Sequence, residues 1–558
     1  MLPFLALLLA ATAPAPPAAP PPAGLAGPGP VDELTSRFIE AYFAQYPTLA
    51  TEAGRADFDD RLEDAATVPA WLQFMAGIDT QAQELQGRSG SIDLEVLRHQ
   101  IAAERFTLRR GPPRDPLYWT GICSRAVIYL LLRDDQPRDA RIAALTARAR
   151  QVPRLLAQAQ AAVDSGTAPE LVQPAARQSA QLAELYATGL NRFAGPGHPA
   201  LAEAGTGAAK ALRAFSAYLK ALRPTGSARL GADYAEAFRL GLRTDESPAL
   251  LLPRFQQDLV RLRREAAAYG KSIWPALVPG EPPPADEKKL LRRLFAAIED
   301  RHDTEVAGYT RNWQSLVPRL ESLVRARNVI ALPEPRTLKI LAAPPYLSGQ
   351  AYGGVFPAGP FRPDGETLLL LPVPPEDASL AGRVEFFRAF NRPFSTMIAA
   401  HEALPGHYVQ LKIAAHQPHR IRALFPDQVY AEGWGTFAER LMLDQGWGGP
   451  AERVAHLKKQ LENCARAIVD IRVHTSGISR DEVIRFVRDE ALQDPQLAEN
   501  LWQRMLTSAP QIVTYHLGYR QIDELYQRAR ARPGFSVRAF TDHLMAEGAI
   551  PLRHYQEP

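Results

Sequence analysis

The sequence predicts a mainly α-helical protein carrying one small β-sheet or hairpin. Three observations lead there. Apolar residues recur at helical spacing through most of residues 31–330 and again from about 376 to the end. Between these stretches lie two short apolar runs bounded by Pro and Gly. With 46% hydrophobic and 22% charged residues, a 558-residue chain can bury a sizeable core.

Taken in order, residues 1–30 form an apolar stretch, Leu2 to Leu9, followed by a Pro/Ala-rich linker. The stretch is shorter than the roughly 20 residues a membrane helix needs. With Ala11-Thr12-Ala13 as a small-x-small cleavage signal, it reads as a secretory leader, and the protein is expected to be exported, periplasmic or secreted, with no integral membrane segment once the leader is cut. Residues 31–330 read as a helical N-terminal region. Segment 247–270 shows the reasoning: Ser247 caps, Pro248 suits the first turn, Phe255, Leu259, Leu262 and Ala266 share a face, and Gly270 marks the end. The arginines Arg261, Arg263 and Arg264 fall elsewhere and read as a solvated face. Segment 137–163 has the same character. Residues 331–558 form the region expected to carry the chemistry. It opens with the runs 337–347 and 365–373, the second preceded by the turn signal Pro363-Asp364-Gly365. Strand Thr367 to Leu371 reads either as an edge onto which an extended peptide could add or as a buried core strand.

The net charge is +3 and basic residues are spread along the chain, which excludes a nucleic-acid footprint. The two cysteines, Cys123 and Cys464, allow one disulfide or none, and no zinc-ribbon spacing exists.

The segment 397-MIAAHEALPGHYVQLK-412 nearly spells His-Glu-x-x-His, with the second histidine two residues late. A helix turns about 100° per residue, so His401 and His407 would diverge by about 120° on an unbroken helix and could not share an ion. Pro405 forbids that helix, because it has no N–H for the carbonyl of His401 and its ring clashes there. Leu404 is pushed out of helical geometry and Gly406 accepts unusual dihedrals. A bulge at Pro405-Gly406 would return His407 to the face of His401. In 430-YAEGWGTFAERLM-442, Glu432 offers a third ligand beside the small residues Ala431, Gly433 and Gly435, with Glu439 as an alternative. Three protein ligands and an open position suit a catalytic zinc; a helix end that merely contains histidines is the plain alternative.

HEALPGHYVQ and YAEGWGTFAERL together resemble the bacterial family designated domain of unknown function 885. Further segments at 46–62, 350–361, 466–479 and 509–522 are also similar to it. The resemblance implies a kinship with gluzincin metallopeptidases and a large helical metallopeptidase-like fold with a substrate channel. It implies His401, His407 and Glu432 as Zn2+ ligands and Glu402 as catalytic base. The family's C-terminal Pro-Gly-Gln run reads Ala509-Pro510-Gln511 here, while Tyr515 and Gly518 match, so Tyr515 is kept as a candidate oxyanion donor beside an ordinary helix position.

The expected function is that of a zinc-dependent peptidase acting on peptide or peptide-like small substrates. Alternatives are a zinc amidase or hydrolase acting on non-peptide substrates, and an exported helical binding protein with a vestigial metal site. Asp470 and His474, with Arg466 one turn earlier, read as metal support, as a substrate-carboxylate site or as a helix-surface pair. His516 and Tyr519 are weaker candidates, and Trp434 and Trp447 read as core rather than substrate platform.

Overall fold

The computed structural model describes residues 29–343, 354–375 and 377–555. The leader read at 1–30 lies outside them except for its last two residues, as do positions 344–347 of the first apolar run and 350–353 of the 350–361 segment. Among the described residues no helix is long and apolar enough to cross a membrane.

Helices dominate, with one three-stranded sheet. The N-terminal part packs two cores of its own. One joins the helices Pro116–Leu132, Arg138–Ala162, Pro169–Glu184 and Pro199–Ala221. The other joins Pro30–Gln45, Val68–Ser89 and Ile92–Leu108 and takes in Ile421 and Phe425 from the C-terminal part. The largest core runs from Tyr234 to Tyr555, continuously across residue 330, and surrounds the candidate site.

The helices around that site are labelled in chain order: α1 (Pro248–Leu277), α2 (Val306–Ala326), α3 (Arg392–Glu402), α4 (His407–His416), α5 (Gln428–Asp444), α6 (Pro450–Thr475), α7 (Pro495–Ser508) and α8 (Thr514–Arg530). Helix α1 starts as its sequence dictates, the Ser247 side chain accepting from the Leu250 N–H at 3.3 Å, and its expected apolar face is buried. Its end differs from expectation. Gly270 lies inside the helix, where a Cβ would come within 2.5 Å of Leu294, so the glycine serves close packing on the neighbouring helix rather than termination. The helix runs on to Leu277, just before Pro279 and the positive-φ Gly280.

The strands are β1 (Leu338–Ala342), β2 (Gly354–Phe356) and β3 (Thr367–Leu371), in the order β1-β3-β2. The two apolar runs pair in parallel, so they form a sheet and not a hairpin; β2 joins β3 antiparallel. Strand β3 is therefore central and fully buried, and the reading of Thr367 to Leu371 as a free edge is corrected. Five consecutive apolar or small residues buried on both faces are the pattern of an interior strand. Cys123 and Cys464 are both buried and free, so they do not pair.

Candidate metal centre

Helix α3 is capped by Asn391, whose side chain accepts from the Phe394 N–H at 2.9 Å, and it ends at Glu402. The chain then leaves helical geometry for four residues, through a cis Leu404–Pro405 peptide, and α4 begins at His407. The expected two-residue bulge is thus a full break between two helices. The break brings the His401 and His407 rings to 4.6 Å between centroids, nearly perpendicular.

Gly406 is required here for space. Its φ of −69° is open to any residue, but a Cβ on it would stand 1.8 Å from the His401 carbonyl oxygen. The Trp434 indole N–H donates to the Pro405 carbonyl at 3.0 Å and ties the turn to α5. Trp434 and Trp447 are both core residues, each with its indole N–H bonded to a backbone carbonyl.

Helix α5 brings Glu432. Gly435 lets the His401 ring lie against the helix, since a Cβ there would be 2.8 Å from the ring. Gly433 faces Gly518 of α8, and a Cβ on Gly518 would be 1.9 Å from the Val429 carbonyl oxygen. This backbone-to-backbone approach of α5 and α8 sets Tyr515, one turn before Gly518, close enough to feel the Glu432 charge. Burial first, then that charge, raises the Tyr515 phenol above its ordinary value, so it keeps its proton.

The His407 and His401 Nε2 atoms lie 3.5 and 3.7 Å from Glu432 Oε2. These separations are at or beyond the limit of a hydrogen bond. They match the edge of a tetrahedron whose corners sit about 2.1 Å from a central zinc, roughly 3.4 Å. All three donor atoms lie within 4.8 Å of one another. Each imidazole is also turned by its other nitrogen: His401 Nδ1 bonds Glu439 Oε1 at 2.9 Å and His407 Nδ1 bonds Gln410 Oε1 at 3.2 Å. With Nδ1–H committed to a carboxylate oxygen, Nε2 is the His401 nitrogen that would offer a lone pair to a metal, once an ion displaces its proton.

Glu439, the alternative third ligand, lies outside the cluster of three donor atoms and takes the other side of His401. It is fully buried and shared between His401 and His456, whose Nδ1 is 2.9 Å from its Oε2. Burial alone would lower the His401 imidazole and raise both carboxylates. The opposed charges win: Glu432 and Glu439 push His401 up to about 10, and the histidines hold Glu432 and Glu439 below the usual carboxylate range.

The cluster opens on a cavity of about 690 Å³. Glu402 and Tyr515 line it, so all five sequence-derived site residues meet at one place. The sheet contributes Leu369 to Leu371 and Gly354 and Val355 of β2, which makes β2 the strand beside the cavity with only one partner among the described residues.

Other candidates are not brought to this place. Asp470 and His474 are buried away from the cavity. Asp470 accepts from the Tyr234 hydroxyl at 2.6 Å, and His474 accepts from the Leu230 N–H and donates to the Met505 carbonyl. Both are structural, and neither is a surface pair. His516 rests on Asp258 and Tyr519 on Arg440, outside the cavity lining. Arg466 does line the cavity. Sequence reading missed Glu439 as an orienting group, although its spacing of seven from Glu432 puts both on one helix face. It also missed His456, Lys459 and Arg504, which no local pattern marks.

The fold and site thus define a mainly helical protein with a buried two-histidine, one-carboxylate cluster at the wall of a large cavity. The chain belongs to the family of bacterial proteins of unknown function designated DUF885, whose profile matches residues 47–557. No curated protein matches it. Among solved structures it is similar to one described as a "putative lipoprotein of unknown function" from Shewanella oneidensis, at 22% identity and TM-score 0.75, covering 94% of this chain and 98% of that one. It is also similar to a "putative lipoprotein" from Colwellia psychrerythraea, at 16% identity and TM-score 0.74, covering 94% and 97%. At these identities the likeness is one of fold.

Proposed function

We propose that the protein is a zinc-dependent hydrolase, a peptidase of short peptides, related to the gluzincin metallopeptidases. The observation that carries this reading is the spacing of His401 Nε2, His407 Nε2 and Glu432 Oε2, which suits tetrahedral coordination, with the remaining side facing the cavity. Zinc bound there would lower the pKa of a water toward about 7 and polarise a carbonyl. Glu402 adjoins a ligand and lines the cavity, so its carboxylate takes the water's proton and passes it to the leaving nitrogen. The Tyr515 phenol, holding its proton, donates to the developing oxyanion. Glu439 holds the His401 tautomer and ring direction.

Export belongs to the same reading. The leader-like residues 1–30 support it, as do the lipoprotein descriptions of the two solved relatives.

The test is metal content together with turnover. Purified protein is expected to hold about one zinc per chain and to cleave short peptides, and chelation should abolish cleavage until zinc is restored. Protein with no stoichiometric metal under zinc-replete purification would overturn the reading. Glu439→Gln removes the carboxylate that fixes His401 and is expected to weaken zinc binding roughly 10–100-fold, measured by competition with a chromophoric chelator. Unchanged affinity would mean that Glu439 only fills space.

A further inference from the structure

The cavity is also lined by three cations that the mechanism does not use. Lys459 and Arg466 come from α6 and Arg504 from α7, and all three line the cavity. Lys459 and Arg466 share one carboxylate, Glu462; Lys459 Nζ lies 3.3 Å from it and Arg466 is in direct contact. The Arg466 Nε is buried and has no hydrogen-bond partner. Among the described residues, the hydrogen-bond partners of Arg504 are neutral, the Gln511 amide oxygen at 3.0 Å and the Tyr515 hydroxyl at 3.3 Å. The other carboxylates of the cavity, Glu402 and Glu432, belong to the candidate metal centre. Among the described residues, Glu462 is thus the one acid in direct contact with any of these three cations, and Glu439 acts on Lys459 from farther off. Burial, and after it the Arg466 charge, pull the Lys459 ammonium below its ordinary value, against the opposing pull of Glu462 and Glu439.

The place of Arg504 matters as much as its charge. Tyr515 neighbours both Glu432 and Arg504: its phenol senses the former's charge and accepts from the latter's guanidinium. A group held by Arg504 would therefore lie beside the phenol assigned to the oxyanion, in the same cavity as the three ligand candidates. The rest of the wall is apolar and aromatic, including Trp313, Phe386, Phe390 and Phe394.

We propose that Arg504, with Arg466 and Lys459 behind it, binds the free C-terminal carboxylate of a short peptide, so that the cavity selects peptides ending in an apolar residue and releases that residue. This rests on the hydrolase reading for its chemistry, but the binding site stands on the cations alone. In the reaction the last amide C–N bond breaks; water supplies its oxygen to the acyl carbon and a proton to the leaving nitrogen, giving a shortened peptide acid and a free amino acid.

The experiment compares an N-acetylated tetrapeptide ending in phenylalanine with its C-terminal amide. Zinc-loaded protein is expected to cleave the acid with a kcat/KM about 10²-fold or more above the amide, since the amide leaves the arginine unpaired. Arg504→Gln should bring the two within about 3-fold of each other by lowering the acid far more than the amide, and Arg504→Lys should restore part of the gap, with thermal melting confirming that each variant is folded. Binding is measured separately by calorimetry on Glu402→Gln protein, where the acid should bind at least about 10-fold tighter than the amide and Arg504→Gln in that background should abolish the difference. Equal binding of acid and amide overturns the carboxylate site whatever the activity. A binding difference that Arg504→Gln leaves intact also overturns it. Absence of cleavage with the binding difference present leaves the carboxylate site supported and removes the hydrolase reading instead.

Discussion

Glu402→Gln is expected to leave zinc content and melting temperature unchanged while lowering kcat for peptide cleavage by about 10²–10⁴-fold, the usual contribution of a positioned general base. Glu402 closes α3 immediately after His401 and faces the cavity, so it is placed by the same helix end that places the ligand. It is not among the three ligand atoms that cluster, and the glutamine is its equal in volume, so neither the metal nor the packing should feel the change. What is lost is the ability to accept a proton. Metal analysis and kinetics on the same preparation decide the matter. Activity within about 3-fold of the parent would remove Glu402 from its role, and loss of zinc would show that it supports the ion instead.

The parts of this site that were legible in the sequence are those where local sterics leave one solution. Pro405 cannot continue α3, so His401 and His407 had to be separated by a break, and small residues around Glu432 announced a close helix contact. The form of the break was not legible. Sequence allows a bulge or two helices, and the choice is made by packing, here the Trp434 indole on the Pro405 carbonyl and the Gly406 contact with His401. Gly270 shows the same ambiguity from the other side: a glycine after an amphipathic run ends a helix or lets a neighbour approach, and only Leu290 and Leu294 of the next helix decide. Strand β3 was found, yet its central place was not, because the strand that covers its second edge, β2, is only three residues long and carries no apolar run of its own. Asp470 and His474 had the spacing of a functional pair, but spacing says nothing about depth, and burial against Tyr234 and Met505 turned them into core hydrogen bonds. Arg504 was invisible for the complementary reason. It reaches the site only because the glycine contact of α5 and α8 brings Tyr515 beside both it and Glu432.

Gly406→Ala is expected to be the most damaging single methyl group in the site, lowering stability by about 3 kcal/mol or more and emptying the metal centre. The added Cβ would lie 1.8 Å from the His401 carbonyl oxygen and 2.4 Å from that of Ala400. Both are main-chain atoms of the last turn of α3, so no side-chain rotation can make room. Either α3 unwinds at the residue that carries a ligand, or α4 swings away and takes His407 with it. Gly77→Ala provides the contrast. Gly77 lies in the interior of the exposed face of Val68–Ser89, with no atom within 4 Å of its would-be Cβ, and there alanine should raise stability by about 0.5–1 kcal/mol through the lower entropy of the unfolded chain. Thermal melts and zinc content of the two variants measured side by side separate a steric requirement from a general intolerance of substitution. If Gly406→Ala melts with the parent and binds zinc as tightly, the turn tolerates a wider spacing between α3 and α4 than the contact distances allow. The idea that this close approach is what lets two histidines six residues apart share an ion would then fail.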